Sequence, residues 1–459
     1  MTLHPAYAEF LANKSIRAPA RGLKAIPKLA DHLFPFQRHC VEFALRVGAS
    51  GQFISTGLGK TACQLEWAQH AAEASNGRAL ILTPLAVAKQ IEKEGRRWGY
   101  DIRVIRDASE ARPGINVCNY DRLGKLDPDD FGAVSLDEAS AMKGYERATT
   151  QTLMEMFPRC AWKLCASATP APNDLTEMGS YAEFLSIRTK LEMLSRWFIN
   201  DTADTGNWRL KGHAANAYWD WMSSWARMAD MPSDLGDFDD TPFILPPLNV
   251  VRHRARQTHI EGGDGLFAAL AMSATTMHDV KRQTSEARAD KARQLIDAEP
   301  DEPWILWCDT DYEADALKRA IPDAVDVRGS LSIEEKEARI EAFSDGSALR
   351  IIGKPVQLGM GLNWQHCARQ AFVGRGYSYE RFYQAVRRCW RFGQKRQVDV
   401  HLIVAEGEDE IGRVIDQKAD GHAKMRSAMR AAMLRNQGAV VSAKIGYEPK
   451  HKGRLPSWL

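Results

Sequence analysis

The chain has 459 residues, of which 44% are hydrophobic and 26% charged, and its formal net charge is +2. This composition is ordinary for a globular protein, and the chain is too long for a single core. Its net charge shows no overall excess of the kind expected in a polyanion-binding chain. No apolar run approaches the length that crosses a bilayer, and residues 1–21 lack the layout of a signal peptide. We therefore expect two or three domains, a cytoplasmic location and no membrane partner. The eight cysteines contain no CxxC pair, which predicts neither a zinc site nor a disulfide framework.

The first chemical motif in the chain is a glutamine at the start of a helical pattern. Gln37 follows Phe36, and apolar residues then recur at helical spacing from Cys40 to Val47. A glutamine amide offers one donor group and one acceptor, which suits the edge of adenine. By itself the residue means little, but it lies a short distance before the loop described next.

A glycine-rich turn connects a short apolar strand to a second helical pattern. Gly57 and Gly59 let the backbone approach a polyphosphate, and the start of the following helix favours negative charge. Lys60 would reach the β- and γ-phosphates, and Thr61 would bind Mg²⁺. The alternative is a structural glycine turn, and Ile54 stands where the fuller phosphate-loop pattern has glycine. The predicted nucleotide-binding residues of this loop are Thr56, Gly57, Leu58, Gly59, Lys60 and Thr61.

Two adjacent carboxylates, Asp137 and Glu138, end a later apolar strand. The first can hold Mg²⁺ through water, and the second can orient or deprotonate an attacking water. An acidic helix cap is the alternative. A phosphate loop upstream in the same chain favours the catalytic interpretation.

Small hydroxyl residues follow the next apolar run. Ser167 and Thr169, in the sequence Ser-Ala-Thr-Pro, can bond to the acidic pair and to another domain, although an ordinary turn has the same composition. The alternation of short strands and helices predicts a parallel α/β sheet. Because ligand-binding loops lie at the carboxyl ends of such strands, we expect the phosphate loop, the acidic pair and this turn to lie together.

The alternation stops between residues 188 and 249, where tryptophans accumulate. One interpretation is a helical insertion whose aromatic side chains pack on the first domain. The other is an aromatic platform for nucleic-acid bases. The tryptophans of this segment are Trp197, Trp208, Trp219, Trp221 and Trp225.

The rhythm of strands and helices resumes in the second half and predicts a second α/β domain. A glycine-rich segment with Gly359, Gly361 and Asn363 follows one of its strands. Further on, Arg388 and Arg391 are three residues apart and share a helix face. A basic surface helix is the alternative. Together with the motifs of the first half, these arginines predict stabilisation of transition-state charge from outside the phosphate-binding domain.

Taken together, these stretches resemble the core of a superfamily-two helicase of the Swi/Snf-type branch. The motifs occur in the same order and cover residues 33–404 outside the tryptophan-rich segment. Ser140 and Trp390 stand where the family has histidine. The compact size resembles helicases encoded by bacteriophages and prophages. The matching segments are 36–37 (the glutamine motif), 56–61 (motif one), 82–90 (motif Ia), 137–140 (the DEAH-like box), 167–170 (motif three), 359–363 (motif five) and 384–394 (motif six, ending in Phe-Gly-Gln).

The resemblance implies two RecA-like lobes with ATP and Mg²⁺ in the cleft between them. Lys60 and Thr61 would hold phosphate and the metal, and Asp137 would bind Mg²⁺ through water. Glu138 would be the general base, and the two arginines would complete the site from the second lobe. The resemblance also implies residues that couple the two lobes, and these are Ser167, Thr169, Gly359, Gly361, Asn363 and Gln384.

Four segments are expected: a first RecA-like lobe (1–187), a helical tryptophan-rich insertion and linker (188–290), a second RecA-like lobe (291–417) and a basic helical tail (418–459). The tail has nine basic and two acidic residues, which indicates either a solvated surface or a contact with DNA.

The resulting hypothesis is an ATP-dependent DNA helicase or translocase in phage or prophage DNA replication, recombination or repair. One alternative is a nucleotide-switched DNA-binding module that recruits a nuclease or replication protein. Another is an RNA helicase.

Overall fold

The computed structural model describes residues 17–84, 87–142, 148–200, 208–255, 281–358, 362–404 and 409–436. Within these residues, two parallel sheets form two tandem α/β domains, which confirms the predicted fold class. The strands are β1 (Ala49–Ile54), β2 (Arg78–Thr83), β3 (Ile102–Val104), β4 (Gly114–Asn119), β5 (Ala133–Leu136), β6 (Trp162–Ala166), β7 (Phe198–Asn200), β8 (Trp208–Leu210), β9 (Ala226–Ala229), β10 (Leu248–Arg254), β11 (Trp304–Trp307), β12 (Val325–Val327), β13 (Arg350–Gly353), β14 (Arg369–Phe372) and β15 (Val398–Val404). The helices are α1 (Pro35–Val47), α2 (Lys60–Glu73), α3 (Ala88–Arg97), α4 (Ala148–Met156), α5 (Met178–Phe184), α6 (Lys190–Trp197), α7 (Ala215–Ser223), α8 (Ser285–Ala298), α9 (Asp311–Ala320), α10 (Ile333–Ser344), α11 (Pro355–Leu358), α12 (Tyr379–Val386) and α13 (Asp409–Arg435).

Local sequence signals set several helix ends. Pro35 lies in the first turn of α1, and Gly48 ends that helix with a φ of 83°, which favours glycine. Ser332 caps α10 by accepting from the Glu335 backbone N–H at 3.2 Å. Ser378 caps α12 in the same way. The start of α12 therefore has a fixed position, which matters because this helix leads to the arginines.

The first sheet has seven parallel strands in the order β3-β4-β2-β5-β6-β1-β9. Every residue of its inner strands β1 and β5 is buried, as expected of parallel strands covered on both faces. Strand β6 lies between β1 and β5. The turns that follow these three strands are therefore neighbours at one edge of the sheet.

The second sheet has six parallel strands in the order β10-β15-β14-β11-β13-β12. Trp304 and Trp307 of β11 are buried in its centre, and the Trp307 indole N–H donates to the side-chain oxygen of Gln370 at 2.8 Å. Because this bond satisfies the one polar group of the indole, the large ring can be buried without leaving a donor unpaired.

The tryptophan-rich segment differs from the expected helical insertion. It contains α6 and α7, but also the antiparallel hairpin of β7 and β8, and β9 extends the first sheet by pairing with β1. Strand β10 already belongs to the second sheet. The two sheets therefore reach into residues 188–290, which were expected to lie between the two lobes. The β9 run, Ala-Arg-Met-Ala, is short and has neither alternation nor β-branched residues, so it has no strand signature.

The tryptophans of this segment are mostly core residues. The rings of Trp197 and Trp221 stack at 4.5 Å between centroids, and Trp221 meets Trp225 at 5.4 Å. These three side chains and Trp219 are at most 6% exposed. These side chains pack on the first domain, in agreement with the first of the two interpretations. Their faces are not available to nucleic-acid bases.

The helix α13 packs on both domains. Its first half is near β10, where Arg252 forms an ion pair with Asp416 at 3.2 Å. In its second half, Met425, Met429 and Met433 are buried in the core of the first domain. The expected basic tail thus begins as a docked helix, and residues 437–459 lie outside the described residues. None of the described helices combines the length and apolar character needed to cross a membrane.

Candidate active site

The phosphate loop joins β1 to α2 through two glycines in the left-handed region. Gly57 has a φ of 96° and Gly59 a φ of 80°, which other residues rarely adopt. Helix α2 begins at Lys60, so the N–H groups of its first turn have no helical partners and can bind an anion. The Lys60 ammonium donates to the Ile54 carbonyl at 3.4 Å. The loop therefore has the backbone shape and the charge that a polyphosphate requires.

Gln37 lies beneath this loop and is 5% exposed. Its Nε2 donates to the Leu58 carbonyl at 2.9 Å, and its Oε1 accepts from the Phe34 backbone N–H at 3.0 Å. A Cβ built on Gly59 would lie 2.2 Å from the same Nε2. The Gln37 amide was predicted to contact adenine, but its oxygen and its nitrogen both bond within the protein, so Gln37 supports the loop. Sequence alone could not indicate this, because Leu58 reaches Gln37 only through the tertiary fold.

The acidic pair lies at the end of β5, as predicted. Asp137 is buried, and its Oδ2 accepts from the Thr83 hydroxyl at 2.9 Å. Burial and the neighbouring Glu138 raise the pKa of Asp137 to about 6, while Lys60 opposes this shift. Carboxylates that are buried together favour a bound cation or proton.

Glu138 has two unusual features. Its backbone φ is 46°, a left-handed conformation that is rare for residues other than glycine. Its Oε2 is buried and has no hydrogen-bond partner among the described residues. Such strain and an unpaired buried acceptor are expected at sites where a ligand or a water completes the contacts.

The Ser-Ala-Thr turn contacts the second domain. The Thr169 hydroxyl donates to the Glu380 carboxylate on α12 at 3.3 Å, and the Thr169 backbone N–H donates to the Ser167 hydroxyl at 3.1 Å. All three residues are buried. Gln384, one turn further along α12, is also buried, and its carbonyl accepts from Arg388. The turn is therefore connected by α12 to the arginine segment.

Arg388 and Arg391 converge on one carbonyl group. The Nη1 atoms of the two side chains donate to the Leu362 carbonyl at 2.8 and 3.1 Å. Burial and then repulsion by Arg391 lower the pKa of Arg388 to about 9, and Glu138 opposes this shift. Burial also lowers the pKa of Arg391, opposed by Glu94 and Glu138 of the first domain. Both arginines therefore lie within electrostatic range of the first domain.

The residue after these arginines touches the phosphate loop. A Cβ built on Gly57 would lie 3.0 Å from the backbone nitrogen of Phe392. The phosphate loop of the first domain and the arginine segment of the second domain therefore lie against each other. Of the remaining predicted residues, Asn363 is exposed, whereas Gly359 and Gly361 lie outside the described residues.

One contact at the loop was not anticipated. The Ser55 hydroxyl donates to Asp230 Oδ1 at 2.5 Å and accepts from the Tyr383 hydroxyl at 3.3 Å. Asp230 follows β9, and Tyr383 lies on α12 of the second domain. No local pattern marks these residues, because they come from three distant parts of the chain.

The donor set fits a magnesium nucleotide. Among the described residues, no cluster of three or more His, Cys, Asp or Glu side chains could bind a metal ion. Mg²⁺ usually takes one or two protein ligands and completes its shell with water and phosphate. The Thr61 hydroxyl and the Asp137 carboxylate can supply such ligands beside the phosphate loop.

No family model matches the chain. Two curated proteins are similar to it, both named SWI/SNF-related matrix-associated actin-dependent regulator of chromatin subfamily A-like protein 1. The protein of Xenopus tropicalis is 27% identical over 174 residues, and that of Xenopus laevis is 26% identical over 172 residues. Each match covers 35% of this chain, and the chain spans only 18% of each relative.

Among solved structures, the chain is similar to the Sulfolobus solfataricus SWI2/SNF2 ATPase core in complex with dsDNA. The sequences are 16% identical, the TM-score is 0.42, and the superposition covers 91% of this chain and 98% of the other. In sequence, the chain is therefore similar to SWI/SNF-related proteins over about a third of its length.

Proposed function

We propose that this chain hydrolyses ATP in the cleft between its two domains and couples hydrolysis to movement along DNA. The observation that carries the proposal is the contact of Phe392, the residue after Arg391, with Gly57 of the phosphate loop, while Arg388 and Arg391 lie within electrostatic range of Glu138. A phosphate loop alone would support only nucleotide binding. Arginines from a second domain supply what hydrolysis needs, because they can neutralise charge that develops on the γ-phosphate.

Each residue has a definite part in the proposed reaction. Lys60 binds the β- and γ-phosphates, and Thr61 and Asp137 hold Mg²⁺, which supplies positive charge against the phosphates. Glu138 accepts the proton of the attacking water through Oε2, which has no hydrogen-bond partner among the described residues. The arginines of the second domain stabilise the transition state. Closure and opening of the cleft then move the domains relative to each other.

ATP turnover with single-stranded DNA, duplex DNA, forked DNA and RNA, at two salt concentrations, tests the function. Stimulation by duplex or forked DNA supports the proposal, and stimulation by RNA alone supports the RNA helicase. Triplex displacement separates a translocase from a nucleotide-switched module that recruits a nuclease or replication protein, because the module displaces nothing. The phage or prophage setting stays a hypothesis from the sequence.

A basic pocket of the second domain is the proposed contact for the DNA backbone. It lies at the carboxyl ends of β11, β13 and β14 and at the start of α12, where ligands of parallel sheets commonly bind. Its lining includes Lys354, Arg375 and Arg381 together with one acid, Asp309. The N-terminus of a helix favours an anion, and so do the basic side chains around it. Phosphate contacts of this kind are weakened by salt.

Arg381→Ala is expected to weaken DNA binding and to lower the slope of log affinity against log salt by about one, because one phosphate contact is lost. The measurement is fluorescence anisotropy of labelled duplex DNA across a salt series. Arg319→Ala is the matched control, since Arg319 pairs with Glu286 on an exposed face of the same domain. An unchanged slope in Arg381→Ala would remove the pocket from the DNA path.

Gln37→Ala is expected to raise the KM for ATP and the KM for GTP by the same factor, about tenfold. The reason is that the substitution leaves the buried Leu58 carbonyl without its partner, at a cost of about 1–3 kcal/mol, and loosens the phosphate loop. Steady-state kinetics with both nucleotides measure this. Gln69→Ala, on the exposed side of α2, is the control. A rise confined to ATP would instead assign Gln37 to adenine.

A further inference from the structure

Helix α13 is anchored to both domains. On the second domain, Lys418 donates to the Tyr377 carbonyl at 3.2 Å, next to the ion pair of Asp416 with Arg252. On the first domain, Arg435 forms an ion pair with Asp220 at 2.8 Å. Since the helix is one continuous rod, a change in the arrangement of the domains must shift or break one of these anchors.

A buried arginine lies in the middle of the docked half of α13. Arg426 is 7% exposed, and its Nη1 lies 2.7 Å from Asp230 Oδ1. Its Nη2 donates to the Ala168 carbonyl at 2.6 Å, and its Nε donates to His422 Nδ1 at 3.3 Å. Burial and then the charge of Arg426 lower the pKa of His422 to about 3, so the imidazole is neutral and can accept this bond. A buried guanidinium needs such partners, because removing its charge from water is otherwise costly.

Two of these partners belong to the candidate active site. Asp230 Oδ1, which Arg426 contacts, is the same oxygen that accepts from the Ser55 hydroxyl at the start of the phosphate loop. Ala168 lies between Ser167 and Thr169 in the turn that contacts α12. The network also includes the second domain, because the Tyr383 hydroxyl on α12 donates to the Ser55 hydroxyl. Arg426 thus connects the phosphate loop and the turn in one network.

The neighbouring arginine provides a contrast. Arg430, one turn further along α13, pairs with Asp234 at 3.1 Å, and its side chain is 49% exposed. It docks the same helix on the same domain, but it contacts neither the phosphate loop nor the Ser-Ala-Thr turn. Asp234 accepts from the Asp230 backbone N–H at 2.9 Å through its other oxygen, Oδ2, a bond that does not involve Arg430. A helix anchor that contacts none of the site residues directly would resemble Arg430.

We propose that Arg426 is a positioning residue for nucleotide hydrolysis, through which α13 transmits the arrangement of the two domains to the phosphate loop and the Ser-Ala-Thr turn. The inference rests on the proposed function. Asp230 holds Ser55 where the loop begins, and Arg426 holds Asp230. A change in the arrangement of the domains acts on α13 through its anchors on the second domain, and a shift of Arg426 then takes a fixed neighbour from both motifs.

The kinetic test compares Arg426→Gln with Arg430→Gln in the full chain. Arg426→Gln is expected to lower kcat of DNA-stimulated ATP hydrolysis roughly 10- to 100-fold, as displaced catalytic geometry does, with a much smaller change in KM. Arg430→Gln should remain close to the wild type. Asp230→Asn should reproduce the loss, and combining it with Arg426→Gln should add little, because both substitutions break one connection. If Asp230→Asn leaves kcat unchanged, the connection to Ser55 is refuted, including where Arg426→Gln fails to fold.

Hydrogen exchange separates this inference from the proposed function, because it requires no turnover. Arg426→Gln should speed amide exchange in residues 55–60 and 167–170, whereas Arg430→Gln should not. A wild-type protein that does not hydrolyse ATP would end the proposed function and leave this comparison intact. A hydrolysing wild type with equal exchange and equal kcat in both variants would overturn the positioning role.

Discussion

Glu138→Gln is expected to lower ATP turnover by a factor of about 10²–10⁴, the usual contribution of a general base. Glutamine keeps the size of the side chain, so the strained backbone at this position, with its φ of 46°, has no new clash to accommodate. The substitution removes the basic oxygen that is buried without a partner among the described residues. Nucleotide binding should persist, because Lys60 and the glycines of the phosphate loop are unchanged.

The measurement is phosphate release at saturating DNA, with binding of a fluorescent ATP analogue followed in parallel. Lys60→Ala should lose both turnover and binding, since it removes the cation of the phosphate loop. Glu42→Gln on an exposed turn of α1 is the matched control and should behave as the wild type. Turnover within twofold of wild type in both Glu138→Gln and Lys60→Ala would rule out this cleft as the site of hydrolysis.

Arg391→Ala is expected to lower kcat by a factor of about 10³, the smaller end of the range for an arginine that stabilises a transferring phosphoryl group. The effect should be on kcat more than on KM, because the charge it opposes is greatest in the transition state. Arg388→Ala should cost at least as much turnover and should also destabilise the second domain. Arg388 is 2% exposed and donates to the carbonyls of Leu362 and Gln384. The substitution would remove the Arg388 bond to the Gln384 carbonyl and leave the Leu362 carbonyl with Arg391 alone.

Single-turnover ATP hydrolysis and thermal unfolding together separate the two arginines. Arg391→Lys should recover only part of the rate, since an ammonium keeps the charge but loses the planar fork. Arg396→Ala is the control, because Arg396 lies in the same segment but pairs with Glu302 on an exposed face at 2.8 Å. If Arg391→Ala turned over ATP as fast as Arg396→Ala, the second domain would have no part in the chemistry.

Motifs contained within one strand and the turn after it could be predicted well. The phosphate loop, Asp137 and Glu138, and the Ser-Ala-Thr turn all follow apolar strands, and the structure puts them at adjacent strand ends. This worked because the chemistry of such motifs depends on residues that are neighbours in sequence. The regular alternation of strands and helices likewise predicted both sheets, since each element needs its own apolar run to be buried.

Contacts between distant segments could not be predicted in this way. The shape of the loop depends on Gln37 beneath it, and the assignment of that amide to adenine did not anticipate its bond to Leu58. Strand β9 had no periodic signal, because the strand is short and all of its residues are buried. The basic residues of α13 were candidates for DNA contacts, yet Arg426 and Arg430 bind carboxylates of the first domain.

The sequence by itself determined two parallel α/β domains, a phosphate loop with its acids, and a pair of arginines beyond them. These features follow from local spacing and apolar periodicity, which are properties of consecutive residues. Only the tertiary structure decided that the arginines lie within electrostatic range of Glu138, that most of the tryptophans are core, and that α13 reaches back to the residues around the phosphate loop. Those facts depend on how distant segments pack and on which of their charges pair. Neither the packing nor the pairing can be read from residues that are neighbours in sequence.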